Sequence, residues 1–185
     1  MRLAGFVLAG GESRRMGRDK ALLLYHGQPL AASLAQTVSQ LTDSVHIIGD
    51  PTRYGRLGYP VIADAVAARG PAGGIYTALL RNETEWNVIV ACDMPRITVE
   101  LLRTLAQHIA PGCGDCIVPL GPDGDPEPLC ALYHVRCRPV LEQAICENRL
   151  RMRDLVMELQ PVLVPGLDPS CFANLNSPTD LEEAG

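Results

Sequence analysis

What most constrains this chain is a rhythm. Short apolar runs at 3–9, 45–48, 61–63, 87–92, 116–120, 129–134 and 162–164 alternate with windows of helical periodicity. Those windows cover 29–41, 74–81, 99–109, 136–147, 152–159 and 179–183. Strands separated by helices spell βαβ units and a largely parallel sheet. One interval breaks the pattern. Between the runs 116–120 and 129–134 lies Gly121-Pro-Asp-Gly-Asp-Pro126, the most loop-like segment of the chain. A strand, loop, strand order predicts one antiparallel strand there. Gln107-His108 followed by Pro111-Gly112 reads as a helix stop, and Ser177-Pro178 as a helix start. The economical reading is one α/β domain over residues 1–185, Rossmann-like and three-layered. A chain of that length buries enough apolar surface to fold without disulfides or a structural metal.

Composition narrows the function. The formal net charge of -5 argues against non-specific nucleic-acid binding, which needs many phosphate-neutralising cations. No apolar run reaches the roughly 18 residues of a membrane span, so no membrane role is expected. The N-terminal apolar run is too short for a signal-peptide core and leads into glycines and cations, so the expected location is cytoplasmic. Seven cysteines, mostly in apolar stretches, fit reduced core thiols. Cys113 and Cys116 form a C-x-x-C, but no second ligand pair accompanies it and it leads into a strand.

In an open parallel sheet, ligands bind beyond the carboxyl ends of the strands. The first run ends at Gly10-Gly11, the third at Asp64, and the fourth at Asp93-Met94-Pro95. Behind the glycine pair come Arg14, Arg15, Arg18 and Lys20. Glycines let a ligand approach main-chain amides, consecutive amides form an anion-binding concavity, and the cations can neutralise a polyphosphate. Neither the G-x-x-x-x-G-K-[ST] nor the G-x-G-x-x-G pattern fits. Asp93 ends a buried-looking strand, where an acid needs a partner or a cation. Mg²⁺ takes one or two carboxylates plus substrate phosphates, so a phosphate loop beside Asp93 describes a nucleotide site. The competing role for Asp93 is to cap the helix that follows. Asp64 alone could be a simple turn residue.

These residues resemble a known family. The stretch LAGGESRRMGRDK, residues 8–20, is similar to the L-A-G-G-x-S-x-R-M-G-x-D-K signature of the molybdenum cofactor guanylyltransferases. Matches to further family segments follow in order: Ile62-Ala-Asp64 with Gly70-Pro71-Ala72-Gly73-Gly74-Ile75, then Cys92-Asp93-Met94-Pro95, Glu127-Pro-Leu-Cys-Ala-Leu-Tyr133, and Phe172-Ala-Asn174-Leu-Asn176-Ser-Pro178. The resemblance implies the nucleotidyltransferase fold and a reaction in which molybdopterin and GTP give molybdopterin guanine dinucleotide and pyrophosphate. It assigns Leu8, Ala9, Gly10 and Gly11 to the nucleotide loop, Arg15 and Lys20 to the triphosphate, and Asp64 to the nucleotide. Asp93 would hold Mg²⁺ and also bound the nucleotide. Asn174 and Asn176 would serve the molybdopterin side, with Asn176 also near the metal; their bland alternative is a turn and helix cap. A transient molybdoenzyme or cofactor-delivery partner would receive the product.

Two positions depart from the family pattern. Gly49 stands where Asn is common near the base, and Ala72-Gly73 where Leu-Ala is usual, which is expected to loosen that loop. Three other activities stay open on sequence: a CTP-using molybdopterin enzyme, a sugar-1-phosphate nucleotidyltransferase, and a nucleotide-binding regulator without catalysis.

Overall fold

The computed structural model describes residues 2–10, 19–81 and 84–173. In chain order its elements are β1 (Leu3–Leu8), β2 (Leu24–Tyr25), β3 (Gln28–Pro29), α1 (Leu30–Ser39), β4 (Ser44–Ile48) and α2 (Pro51–Tyr54). There follow β5 (Val61–Ile62), α3 (Gly70–Leu80), β6 (Trp86–Ala91), α4 (Val99–Ala106), β7 (Cys116–Pro119) and β8 (Cys130–His134). The last are α5 (Arg138–Cys146), α6 (Met152–Glu158) and β9 (Pro161–Val164).

A seven-stranded sheet runs in the order β5-β4-β1-β6-β8-β7-β9. β1 lies parallel between β4 and β6, which pair both its edges, and α1 and α3 pack against it, so all its residues are buried. Its alternate side chains feed two cores. Leu3 and Val7 join the cluster that includes α1 and α4 side chains, whereas Ala4, Phe6 and Leu8 join the one built with α3, α5 and α6. Gly5 lets α1 seat closely, because a Cβ there would lie 2.2 Å from Val38 Cγ1.

The expected antiparallel strand is β8. It pairs antiparallel with both β6 and β7, while β7 and β9 pair parallel. The loop before it closes on itself through Gly121 N–H to the Asp125 carbonyl, 2.8 Å, and a bridge between Leu120 and Pro126.

Three local features differ from the sequence reading. The ribbon β2–β3 turns at His26 and Gly27, φ 47° and 79°, the pair of positive dihedrals that a two-residue hairpin uses. The short α2 is started by Asp50, whose side chain accepts from Thr52 N–H at 2.8 Å. And α3 begins at Gly70 rather than Gly74, so Ala72-Gly73 is not a loosened loop but the buried first turn of a helix. The expected start at Ser177-Pro178 and the helix 179–183 lie outside the described residues. Among the described residues no helix is long and apolar enough to cross a membrane.

Candidate active site

The chain leaves β1 for β4 and β5 on one side and reaches β6 on the other, so a crevice opens beyond the carboxyl ends of β1, β4, β5 and β6. It is a cleft of about 1280 Å³. Leu8, Ala9, Gly10, Lys20, Asp64 and Asp93 all line it, together with Arg53 and Arg69. Gly11, Arg14, Arg15, Arg18, Asn174 and Asn176 lie outside the described residues.

The floor is the end of β1. The Leu8 carbonyl accepts from Cys92 N–H at 3.1 Å, and Ala9 N–H donates to the Ile48 carbonyl at 2.9 Å. Opposite Gly10 stands Asp64: a Cβ on Gly10 would come within 3.5 Å of Asp64 Oδ2, so its absence keeps the space before that carboxylate open. The Tyr54 hydroxyl lies 2.7 Å from the Ala9 carbonyl and 2.8 Å from Asp19 Oδ2, and its single proton serves these two acceptors. Burial first, then the hydrogen bond to Asp19, raises the Tyr54 phenol pKa, so it stays a neutral donor. Asp19 Oδ1 in turn accepts from Ala21 N–H at 3.1 Å and starts the single turn that carries Lys20. Tyr54 thus ties the end of β1 to the segment that places the cation.

That tie explains Gly49. A Cβ there would sit 2.6 Å from Tyr54 Cε2, so the Tyr54 ring occupies the space a side chain would need. On the other wall, Ala65 N–H donates to Thr77 Oγ1 at 3.0 Å, and the Thr77 hydroxyl donates to the Gly73 carbonyl at 2.7 Å. A buried helix hydroxyl therefore fixes the chain directly after Asp64. Desolvation by the cleft walls raises the Asp64 pKa. Gly74 allows α3 to sit on β1, since a Cβ would be 3.1 Å from Leu8 Cδ2.

Asp93 follows the end of β6. It does not cap α4: Thr98 does, accepting from Leu101 N–H at 3.2 Å. The residue is partly exposed, yet its Oδ1 is sealed from solvent and has no hydrogen-bond partner among the described residues. Burial pushes its pKa up, and the Lys20 charge pulls against that rise. Such an oxygen suits a cation. No group of three or more His, Cys, Asp or Glu able to hold a metal occurs among the described residues. A carboxylate with so little protein company fits Mg²⁺, which keeps waters and substrate phosphates in its shell. The neighbouring Cys92 thiol, pushed up to about 12 mainly by burial, is no nucleophile.

Sequence reasoning missed Tyr54, Asp19 and Thr77. Each acts through a contact with a distant part of the chain or with main chain. The only local signals were a Tyr four residues after a helix-starting Asp50, and a Thr on an otherwise apolar helix face.

A strand-end cleft with glycine, cations and one half-orphaned carboxylate is what nucleotide transfer needs, and known proteins resemble the chain over nearly its whole length. The model of the MobA-like NTP transferase domain matches residues 5–162. A probable molybdenum cofactor guanylyltransferase of Flavobacterium johnsoniae is 33% identical over 98% of this chain and 95% of its own length. The protein of the same description from Deinococcus radiodurans is 34% identical over 98% of this chain and 93% of its own. The crystal structure of molybdopterin-guanine dinucleotide biosynthesis protein A from Archaeoglobus fulgidus superposes with a TM-score of 0.82 at 27% identity, covering 98% of this chain and 96% of that one. With the family match over residues 5–162, and its fold and nearly its whole length in common with these proteins, the chain belongs to the MobA-like NTP transferase domain family.

Proposed function

We propose that this protein is a molybdenum cofactor guanylyltransferase, which moves GMP from GTP to molybdopterin. A terminal phosphate oxygen of molybdopterin attacks the α-phosphorus of GTP in line, the bond from that phosphorus to the β-bridging oxygen breaks, and pyrophosphate leaves. One observation carries the reading: Asp93, with one sealed and unpartnered oxygen, lines the cation-bearing cleft of a chain that matches such relatives over nearly its whole length. No covalent enzyme intermediate is needed, so the protein contributes position and charge.

Gly10 lets the nucleotide lie against main chain, and Asp64 contacts it from the opposite wall. Lys20 and Arg15 neutralise the triphosphate. Tyr54 and Asp19 hold Ala9 and Lys20 at fixed separation. With Gly49 filled over by Tyr54, guanine is read by main-chain groups rather than by a side chain from the end of β4. Asp93, with Asn176 as a further contact, would hold Mg²⁺, which when bound offsets the charge developing on the phosphate oxygens. By the family resemblance, Asn174 and Asn176 would serve the molybdopterin side.

The test is product formation. Purified protein, GTP, Mg²⁺ and molybdopterin should yield the guanine dinucleotide and pyrophosphate in equal amounts. A preference for CTP, or no dinucleotide with any nucleotide, would sink the assignment. Lys20→Ala should weaken GTP binding by about tenfold or more, in the range of one charge-assisted hydrogen bond, with little effect on guanosine. Equal losses for both would remove Lys20 from the phosphates.

A further inference from the structure

Asp93 and Leu129 line a second cavity as well, of about 260 Å³. Its other walls are Met94, Met152, Glu127, Pro128 and two cations, Arg151 and Arg153. Met94 and Met152 are buried apolar side chains, and thioethers make favourable contacts with aromatic rings. Glu127 is the unusual member. Its side chain is only 16% exposed, deep for a carboxylate. Its nearest cation, Arg153 Nη2, stands 3.6 Å from Oε1, and no hydrogen bond to either oxygen occurs among the described residues.

The local chain is built to keep that carboxylate there. Glu127 N–H donates to the Pro119 carbonyl at 2.9 Å, and its own carbonyl accepts from Cys130 N–H at 3.2 Å. Gly121 makes the room: a Cβ there would fall 2.7 Å from Glu127 Oε1. Arg153 is itself anchored to Asp125, so it offsets the charge of Glu127 without occupying both oxygens. Burial raises the Glu127 pKa, with Arg153 opposing, as for a carboxylate that still lacks donors.

A partly enclosed carboxylate with neither oxygen hydrogen-bonded among the described residues can take two parallel N–H donors. Met94 and Met152 on the same wall suit the face of a flat ring, with such donors on its edge. A 2-amino-4-oxopyrimidine ring presents such an edge, through its N3–H and 2-amino group, and the acceptor in the reaction proposed above is a pterin that contains it. Resting on that reading, we infer that Glu127 accepts from N3–H and the 2-amino group of the acceptor's pterin ring, and so fixes which end of the acceptor faces Asp93. Guanine carries the same edge, but its place is the larger cleft beyond Asp93, between Gly10 and Asp64.

The probes are neopterin, which has the 2-amino-4-oxo edge, and lumazine, which replaces the 2-amino group with an oxygen. Fluorescence titration of the whole protein should show neopterin binding about tenfold or more tighter than lumazine, because the oxygen would face a carboxylate. Glu127→Gln, nearly the same shape, offers one acceptor and one donor; it should weaken neopterin by about tenfold and erase the preference, leaving GTP binding within about twofold. Guanosine should not displace neopterin. The inference is overturned if wild type does not bind neopterin, if it binds both probes equally, if Glu127→Gln keeps the wild-type preference, or if guanosine competes fully. Failure of the guanylyltransferase reading looks different: wild type then makes no dinucleotide from GTP and molybdopterin, whatever the two pterins do.

Discussion

The two sides of Asp93 are finished to different degrees. On the side of β1, β4 and β5, the polar groups that shape the cleft are tied to one another, Asp64 excepted. Tyr54 serves Ala9 and Asp19, Asp19 serves the turn with Lys20, and Thr77 joins Ala65 to Gly73. On the side of β8 and β7, Asp93 Oδ1 has no partner among the described residues and Glu127 has only a distant arginine. The nucleotide side is preorganised, and the other side is completed by what binds. The strand pattern underlies this. Parallel strands reached by crossovers bring glycine-rich strand ends together, whereas the one antiparallel strand starts beside a charged loop, Asp123 to Glu127.

The sharpest way to break the comparison is to remove the unfinished carboxylate at its centre. Asp93→Asn keeps the shape and loses the charge. Turnover should fall by about a hundredfold or more, roughly 2.7 kcal/mol of barrier, while the circular dichroism spectrum stays that of wild type. Initial-rate assays under saturating GTP decide it; a loss below about threefold would leave Asp93 without a role in charge stabilisation.

On the finished side the expected effects are structural and smaller. Gly49→Ala pushes a methyl into the Tyr54 ring, which cannot swing away because it is buried and its hydroxyl is held at both acceptors. Overpacking of this kind costs about 1–3 kcal/mol, readable as a shift in urea midpoint. Tyr54→Phe removes only the hydroxyl, at about 1 kcal/mol, and should raise the KM for GTP more than it lowers kcat, since Lys20 loses part of its support. Full stability in Gly49→Ala would mean that the Tyr54 ring does not fill this wall.

The same contrast governs what could be read from the sequence. The strands were legible because β1, β6, β7 and β8 are buried on both faces and so appear as unbroken apolar runs. The antiparallel strand was legible from its connecting loop. The start of α3 was not, because Gly70-Pro71-Ala72-Gly73-Gly74 has poor helix propensity and is held helical by close packing, as at Gly74 on Leu8. In the cleft, Gly10, Lys20, Asp64 and Asp93 were visible as unusual residue types at strand ends. Tyr54 and Thr77 were not, because a tyrosine or threonine acquires its role only from a partner that the fold brings in from another element. Glu127 stands in the sequence only as part of a strand motif, since nothing there tells an enclosed carboxylate from a solvated one.

The smallest effect tests whether the unfinished side really carries an energetic cost. Burial is the leading cause that raises the Asp93 pKa above its ordinary value of 3.8, so the folded state holds its proton to higher pH than the unfolded state does. Between those two values the folded protein binds more protons, and stability falls as pH rises through that window. The cost of the ionised carboxylate is complete above the folded-state pKa and absent below the unfolded value. Asp93→Asn cannot ionise and escapes it. In metal-free buffer at neutral pH the variant should therefore melt slightly higher than wild type, and the gap should close as the pH is lowered toward 3.8. With Mg²⁺ and GTP added, the order should reverse, because a ligand that binds only the folded wild type raises its stability by mass action. Thermal melts of both proteins across this pH range make the measurement. A variant less stable than wild type at neutral pH without metal, with a gap that does not depend on pH, would show that Asp93 is structurally satisfied and that the two sides of the site are equally complete before anything binds.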